Sequence, residues 1–254
     1  MITLKNSKEI ASMQKSGAIT AAAMMAARAV IRPGVTTRQI DRAVHAEILA
    51  HGAVPSFLGY GGFPGSACVS VNDEVIHGIP GDRVIHEGDL VKIDLGALFE
   101  GFHGDCAATF AVGEVSEEAR RLMDVTRQSF YEGIKFARVG YRVSDISHAI
   151  QEYAESRGYG VVRQYVGHGV GRKLHEDPEV PNFGKPGHGP RLLPGMTIAI
   201  EPMINAGSFD VKVMPDNWTV KTADHSLSAH YEHSVLITTG DPVLLTKWDE
   251  GTVD

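Results

Sequence analysis

Residues Leu90 to Phe110 read LVKIDLGALFEGFHGDCAATF. An apolar, partly β-branched run from Leu90 to Leu98 breaks at Glu100-Gly101, and a second run continues to Phe110. Two such runs around a glycine-containing break predict a β-hairpin closing around Phe99 to Gly101. Asp94 falls in the first arm and Asp105 opens the second. In a hairpin of this length the two carboxylates sit opposite each other or nearly so, with Cβ atoms about 4.5–5.5 Å apart for direct cross-strand neighbours. Two anions that close repel, and a half-buried strand holds them only with a cation between them. A single strand aspartate is ordinarily a solvated edge residue. Two of them among Ile93, Leu95 and Cys106 make a metal an equal reading, and the rest of the chain decides between the two.

The chain has 254 residues, long enough for a full core, and a formal charge of −7. No run of Lys or Arg gives it a nucleic-acid footprint. Cys68 and Cys106, the only cysteines, are too few and too far apart for a disulfide framework or a structural zinc site, which fits a reducing, cytoplasmic setting. The run Ala18 to Ala27 follows Lys5, Lys8 and Lys15 as a signal peptide would, but it is rich in Ala and Met. Ile10, Met13, Gly17, Ile19, Met24 and Val30 scatter in and around it as in a helix packed on a core. Nothing approaches the ~20 apolar residues of a membrane span.

A first helix is predicted from an N-cap at Ser7 to about Val30, stopped by Pro33-Gly34. A second follows Thr36 or Thr37 and ends near His51-Gly52, a third is capped by Ser116, and a fourth spans about Val143 to Arg157. Strands are predicted at Val161 to Val166, Thr197 to Ile204 and Tyr231 to Thr238.

The chain also resembles itself. Gly34, Ile40, Ala43, Val44 and Gly52 superpose on Gly140, Ile146, Ala149, Ile150 and Gly158. Setting Gly88 on Gly195 lays Asp94 on Glu201, and a longer offset lays Asp105 on Glu232 and Gly113 on Gly240. Both hairpin carboxylates therefore find carboxylates in the second half. A pseudo-two-fold fold with halves of roughly residues 7–113 and 114–240, within one domain over 1–254, would bring four acids together. Four buried acids call for about two divalent cations, which decides the earlier choice for metal.

His168 lies in Gly167-His168-Gly169-Val170-Gly171, where glycines let backbone and ligand approach closely. His175 and His77 are the other pocket candidates, while the helix residues His45, His51 and His148 are read as solvated. Oxygen ligands with one imidazole suit Mn, Fe, Co or Zn. From the residues alone the reading is a dinuclear metallohydrolase with its substrate open.

Lys92-Ile93-Asp94, Gly101-Phe102-His103-Gly104-Asp105, Gly167-His168-Gly169-Val170-Gly171, His175-Glu176-Asp177-Pro178, Glu201-Pro202-Met203 and Tyr231-Glu232-His233 together resemble type I methionine aminopeptidase in its short bacterial form. The stretches Val71 to Pro80 and Asn217 to Thr222 match as well, so the resemblance spans nearly the whole chain. It implies the pita-bread α/β (α+β) fold, a central curved antiparallel sheet flanked by helices in two related halves. It assigns Asp94 to one metal, His168 and Glu201 to the other, and Asp105 and Glu232 to both. It further implies that a hydroxide activated by the two metals attacks the carbonyl of an N-terminal methionine ahead of a small second residue. In that scheme Glu201 shuttles the proton, His175 stabilises the oxyanion and His77 contacts the amide beyond the scissile bond. Tyr60, Phe63, Cys68 and Trp218 would form the methionine pocket. The one departure is Phe57, where the family often has a smaller residue such as Cys; its ring either narrows the pocket or turns away. The implied partners are nascent polypeptide N-termini, with ribosome association open, no nucleic acid or membrane, and a monomeric enzyme.

Two rivals remain at this level. A proline-specific peptidase of the same fold usually carries a large extra N-terminal domain, which the first helix does not replace. A non-enzymatic ribosome- or RNA-binding relative loses ligands and gains basic surface, whereas this chain keeps all the acids and is acidic.

Overall fold

The fold, taken from a computed structural model, is described for residues 1–249; the end of the expected 1–254 domain lies outside the described residues. At its centre the predicted hairpin is present, with strand Leu90–Phe99 paired to Phe102–Ala111 along its full length. Phe99 faces Phe102, so the connection is the two-residue turn Glu100-Gly101, with φ of 49° and 78°. Left-handed angles at both positions match the right-handed twist of the flanking strands. Glu100 adopts this conformation at some cost, and α1 (Ser7–Val30) anchors it: Lys15 Nζ lies 2.6 Å and Ser12 Oγ 2.9 Å from its carboxylate.

Helix α1 begins one residue earlier than expected, because its cap is Asn6 rather than Ser7. The Asn6 side chain accepts from the N–H groups of Lys8 and Glu9, and the Glu9 carboxylate accepts from Asn6 N–H. A cap at Ser7 would place Ile10 where a capping box needs an acid or amide, so the frame with Glu9 prevails. Three more helices follow, α2 (Thr37–Ala50), α3 (Glu117–Ile134) and α4 (Val143–Glu155). Ser116 caps α3 as read from sequence, and of Thr36 and Thr37 it is Thr36 that caps α2; α4 stops at Glu155, short of the expected Arg157.

The main sheet is antiparallel throughout. Its path runs Val54–Pro55, Leu90–Phe99, Phe102–Ala111, Glu232–Leu236, Thr197–Ile200, Gly167–Gly169 and Glu176–Val180, with Ala67–Val71 also paired to Leu90–Phe99. The expected strand Thr197 to Ile204 is two strands, Thr197–Ile200 and Met203–Asn205, the latter in a separate three-stranded sheet. Pro202 has no N–H for the ladder, and the chain changes sheets there. Val161 to Val166 shortens to Gly160–Val161, and Tyr231 to Thr238 shortens to Glu232–Leu236.

Strand alternation sorts the sheet into two faces. Val69, Ile93, Leu95, Cys106, Ala108, Ile198, Ile200 and Val235 share one buried core with Met24, Ile40, Val44 and Ile48 of the first helices and with Phe130, Ile146 and Ile150 of the last two. Helix α1 packs tightly on Gly104, where a Cβ would stand 2.5 Å from Thr20 Oγ1 and 3.0 Å from Gly17 Cα. The alternate residues of the hairpin, Asp94 and Asp105 among them, point away from this helical layer.

Candidate active site

Asp94 and Asp105 are diagonal neighbours rather than a facing pair. The two-residue turn places Ala107 opposite Asp94 and Gly96 opposite Asp105. Both aspartates remain on the same face, two positions apart along the strand. Ala107 also pairs with Glu232 on its other side, so Asp94, Ala107 and Glu232 form one row across three strands, with Cys68 continuing it beyond Asp94. The methyl group of Ala107 leaves room between the two acids. Glu201 follows directly on Ile200, which pairs with His233, and so reaches the same row from the next strand. His168 completes the group from the short strand Gly167–Gly169. Ligand atoms of Asp105, His168 and Glu232 lie within 4.8 Å of one another.

Three of these carboxylates hold an oxygen sealed from solvent with no partner among the described residues: Asp94 Oδ1, Asp105 Oδ1 and Glu232 Oε1. Burial first, and then the neighbouring acids, push the carboxyls of Asp105 and Glu232 well above the ordinary range. Glu201 rises through burial and then the charge of Asp94, and burial raises Asp94 itself to about 7. His168 is biased the opposite way. Its Nδ1 lies 2.8 Å from the Gly169 carbonyl, which can only accept, so the ring proton sits on Nδ1. The bare Nε2 is left 3.6 Å from Asp105 Oδ2 and 3.5 Å from Glu201 Oε1. Burial, with His175 nearby, lowers its pKa to about 4 and keeps the ring neutral. Unpartnered carboxyl oxygens around an imidazole lone pair are the donor set that a divalent cation completes.

Above this floor lies a cavity of about 200 Å³. Every residue nominated from the sequence lines it: Asp94, Asp105, His168, Glu201, Glu232, His77, His175, Tyr60, Phe63, Cys68 and Trp218. Phe57, Phe63, Cys68 and Leu174 form a buried apolar cluster, with Ile79 and Trp218 packed against it. The ring of Phe57 therefore belongs to the wall and has not turned away from it. His77, at a φ of 58°, stands edge-on to Tyr165 and Trp218, and burial lowers its pKa to about 4. His175 sits at the mouth, its ring 4.1 Å from that of His168, and partial burial lowers its pKa too.

The metallopeptidase family M24 profile matches residues 11–239. The chain belongs to that family. Within M24 it groups with the methionine aminopeptidases. It is 53% identical to the methionine aminopeptidase of Clostridium acetobutylicum, over 97% of this chain and 99% of that one. The crystal structure of methionine aminopeptidase from Thermotoga maritima superposes with a TM-score of 0.96 at 47% identity, covering 97% of this chain and 100% of the other. The prolidase of Pyrococcus furiosus shares the fold more distantly, with a TM-score of 0.80 and 27% identity. This chain covers only 65% of that prolidase. M24 membership carries a divalent metal cofactor with it, and the oxygen-rich donor set with a single imidazole fits one.

Sequence reasoning passed over several neighbours of the site. Ile76, Tyr165, Val166 and Leu174 also line the cavity. His230 is fully buried, with Nε2 3.8 Å from Glu201 Oε2. It ends the strand Ser228–His230 of a separate sheet, so no alternation along one strand links it to Glu232. Of the helix histidines read as solvated, His51 is exposed, whereas His45 is half-buried with Nδ1 2.8 Å from Ser66 Oγ, and His148 is half-buried. Among the described residues, no helix is long and apolar enough to cross a membrane.

Proposed function

We propose that the chain releases the N-terminal methionine from polypeptides with a small second residue, using two divalent ions held by Asp94, Asp105, His168, Glu201 and Glu232. The observation that carries this reading is the join between floor and walls. The carboxylate and imidazole donor set shares one cavity of about 200 Å³ with an apolar wall that includes the Cys68 thiol.

The wall of Phe57, Phe63, Cys68, Leu174 and Trp218 takes the methionine side chain and excludes water from it. This sets the scissile carbonyl over the carboxylates. Bound divalent ions supply Lewis acidity toward that carbonyl and make water nucleophilic near neutral pH. Glu201 moves the proton: as a carboxylate it takes a proton from the adding water and returns it to the departing amide nitrogen. His175, neutral at the cavity mouth, donates to the carbonyl oxygen as negative charge grows there. His77, also neutral, contacts the amide on the far side of the scissile bond. The cation is Co, Mn, Fe or Zn, and the enzyme works as a cytoplasmic monomer on nascent chains.

Parallel hydrolysis of Met-Ala-Ser and Ala-Pro-Ala tests the substrate class. Release of methionine from the first with no cleavage of the second is the expected result. Preferential cleavage before proline would move the chain to the proline-specific peptidases of the same fold.

A further inference from the structure

We propose that Tyr60 is a positioning residue for His175, its hydroxyl fixing the imidazole as the Nε2–H tautomer that donates into the cavity. The proposal rests on the role given above to His175 and departs from the sequence expectation, in which Tyr60 only lines the methionine pocket. Tyr60 Oη lies 2.7 Å from His175 Nδ1, and the two rings sit 5.2 Å apart at 36°. A phenol keeps its proton at neutral pH and can donate it. In a neutral imidazole, the nitrogen that accepts is bare and the other one carries the proton.

The neighbouring ring gives the contrast. The Gly169 carbonyl holds His168 as the Nδ1–H tautomer, with a bare Nε2 toward the carboxylates. His168 and His175 lie with ring centroids 4.1 Å apart, and on this proposal their outer partners hold them in opposite tautomers. One presents a lone pair, as a ligand must, and the other an N–H, as an oxyanion donor must. A carbonyl, which only accepts, imposes the first, and a hydroxyl, which can donate, supports the second.

The setting of Tyr60 fits a latch better than a packing residue. Its side chain is 47% exposed, unlike Phe63 at 4% and Cys68 at 4% on the same wall. It opens the short turn Tyr60–Gly62, where Gly59, Gly61 and Gly62 have φ of 83°, 55° and 91°. A Cβ at Gly61 would stand 3.3 Å from Trp218, so the turn lies against the pocket wall and delivers the phenol across the mouth.

Methionine release from Met-Ala-Ser by the metal-saturated enzyme tests this in a cycle of Tyr60→Phe, His175→Ala and the double variant. Tyr60→Phe is expected to lower kcat roughly 10-fold or more, the range for outer partners that orient a working histidine, with KM within about two-fold. The double variant should be no slower than His175→Ala. A Tyr60→Phe enzyme that keeps its kcat, or whose loss multiplies with that of His175→Ala, overturns the proposal. If His175→Ala itself leaves kcat unchanged, the assignment of His175 falls and takes the latch with it. ¹⁵N-histidine spectra of the zinc-loaded wild type give an independent readout: a proton on Nε2 of His175 supports the latch, and one on Nδ1 refutes it.

Discussion

Truncating Phe57 to alanine removes one wall of the methionine cavity while leaving the carboxylate floor in place. Phe57 is 8% exposed and packs with Phe63, Cys68 and Leu174 around a space of about 200 Å³. A pocket that loses a methylene-sized contact with its substrate gives up about 1–3 kcal/mol, or 10- to 200-fold. A whole ring removes at least one such contact, so kcat/KM for Met-Ala-Ser should fall by about tenfold or more. The missing contact exists in the bound ground state as well as in the transition state, so most of the loss should appear in KM, with kcat within a few-fold. Steady-state methionine release at saturating metal measures both constants. The enlarged wall should also narrow the preference for Met-Ala-Ser over Phe-Ala-Ser. Unchanged KM and unchanged selectivity would refute the reasoning, because they would mean that the ring makes no contact with the substrate.

Other expectations rest on separate parts of the fold. Gly104→Ala forces a Cβ into Thr20 and Gly17 of α1 and should cost about 1–3 kcal/mol, read as a lower urea midpoint; an unchanged midpoint contradicts the close approach. The metal-free protein should lose stability as pH rises from about 6.5 to 8, followed by thermal melting. Asp94, raised to about 7, and Asp105, Glu201 and Glu232, raised well above their usual range, hold protons in the folded state that the unfolded chain has already released, so these terms fade as pH climbs. Lys92, lowered to about 7, acts in the opposite direction with one group against four, and the lowered histidines oppose only below about pH 6.5. Saturating divalent metal should flatten this slope, and a flat profile without metal would contradict the carboxylate cluster.

The hairpin was legible because its alternation and its Glu100-Gly101 break are local signals. The offset between Asp94 and Asp105 was not, because it depends on a turn of two residues rather than three, and one residue of register moves every cross-strand partner. The matches of Asp94 with Glu201 and of Asp105 with Glu232 named all four acids that the sheet gathers at one cavity. Local chemistry also explains two misses: Asn6 outcompetes Ser7 because Glu9 completes its box, and Pro202 ends a strand that hydropathy alone would continue. The rest of the pocket wall came from segments distant in sequence, such as Tyr165 and Leu174, with no period or spacing to join them. The contact of Tyr60 with His175, 115 residues apart, is of the same kind and exists only in the folded chain.

The most direct test of the metal centre is methionine release from Met-Ala-Ser by the metal-stripped protein, with Co, Mn, Fe and Zn restored one at a time to wild type and to Asp105→Ala. The expected result is no release without metal, recovery in the wild type with at least one of the four ions, and none in Asp105→Ala at any concentration that saturates the wild type. Release by the stripped enzyme, or full recovery in the variant lacking the Asp105 carboxylate, would contradict a reaction built on the carboxylate floor.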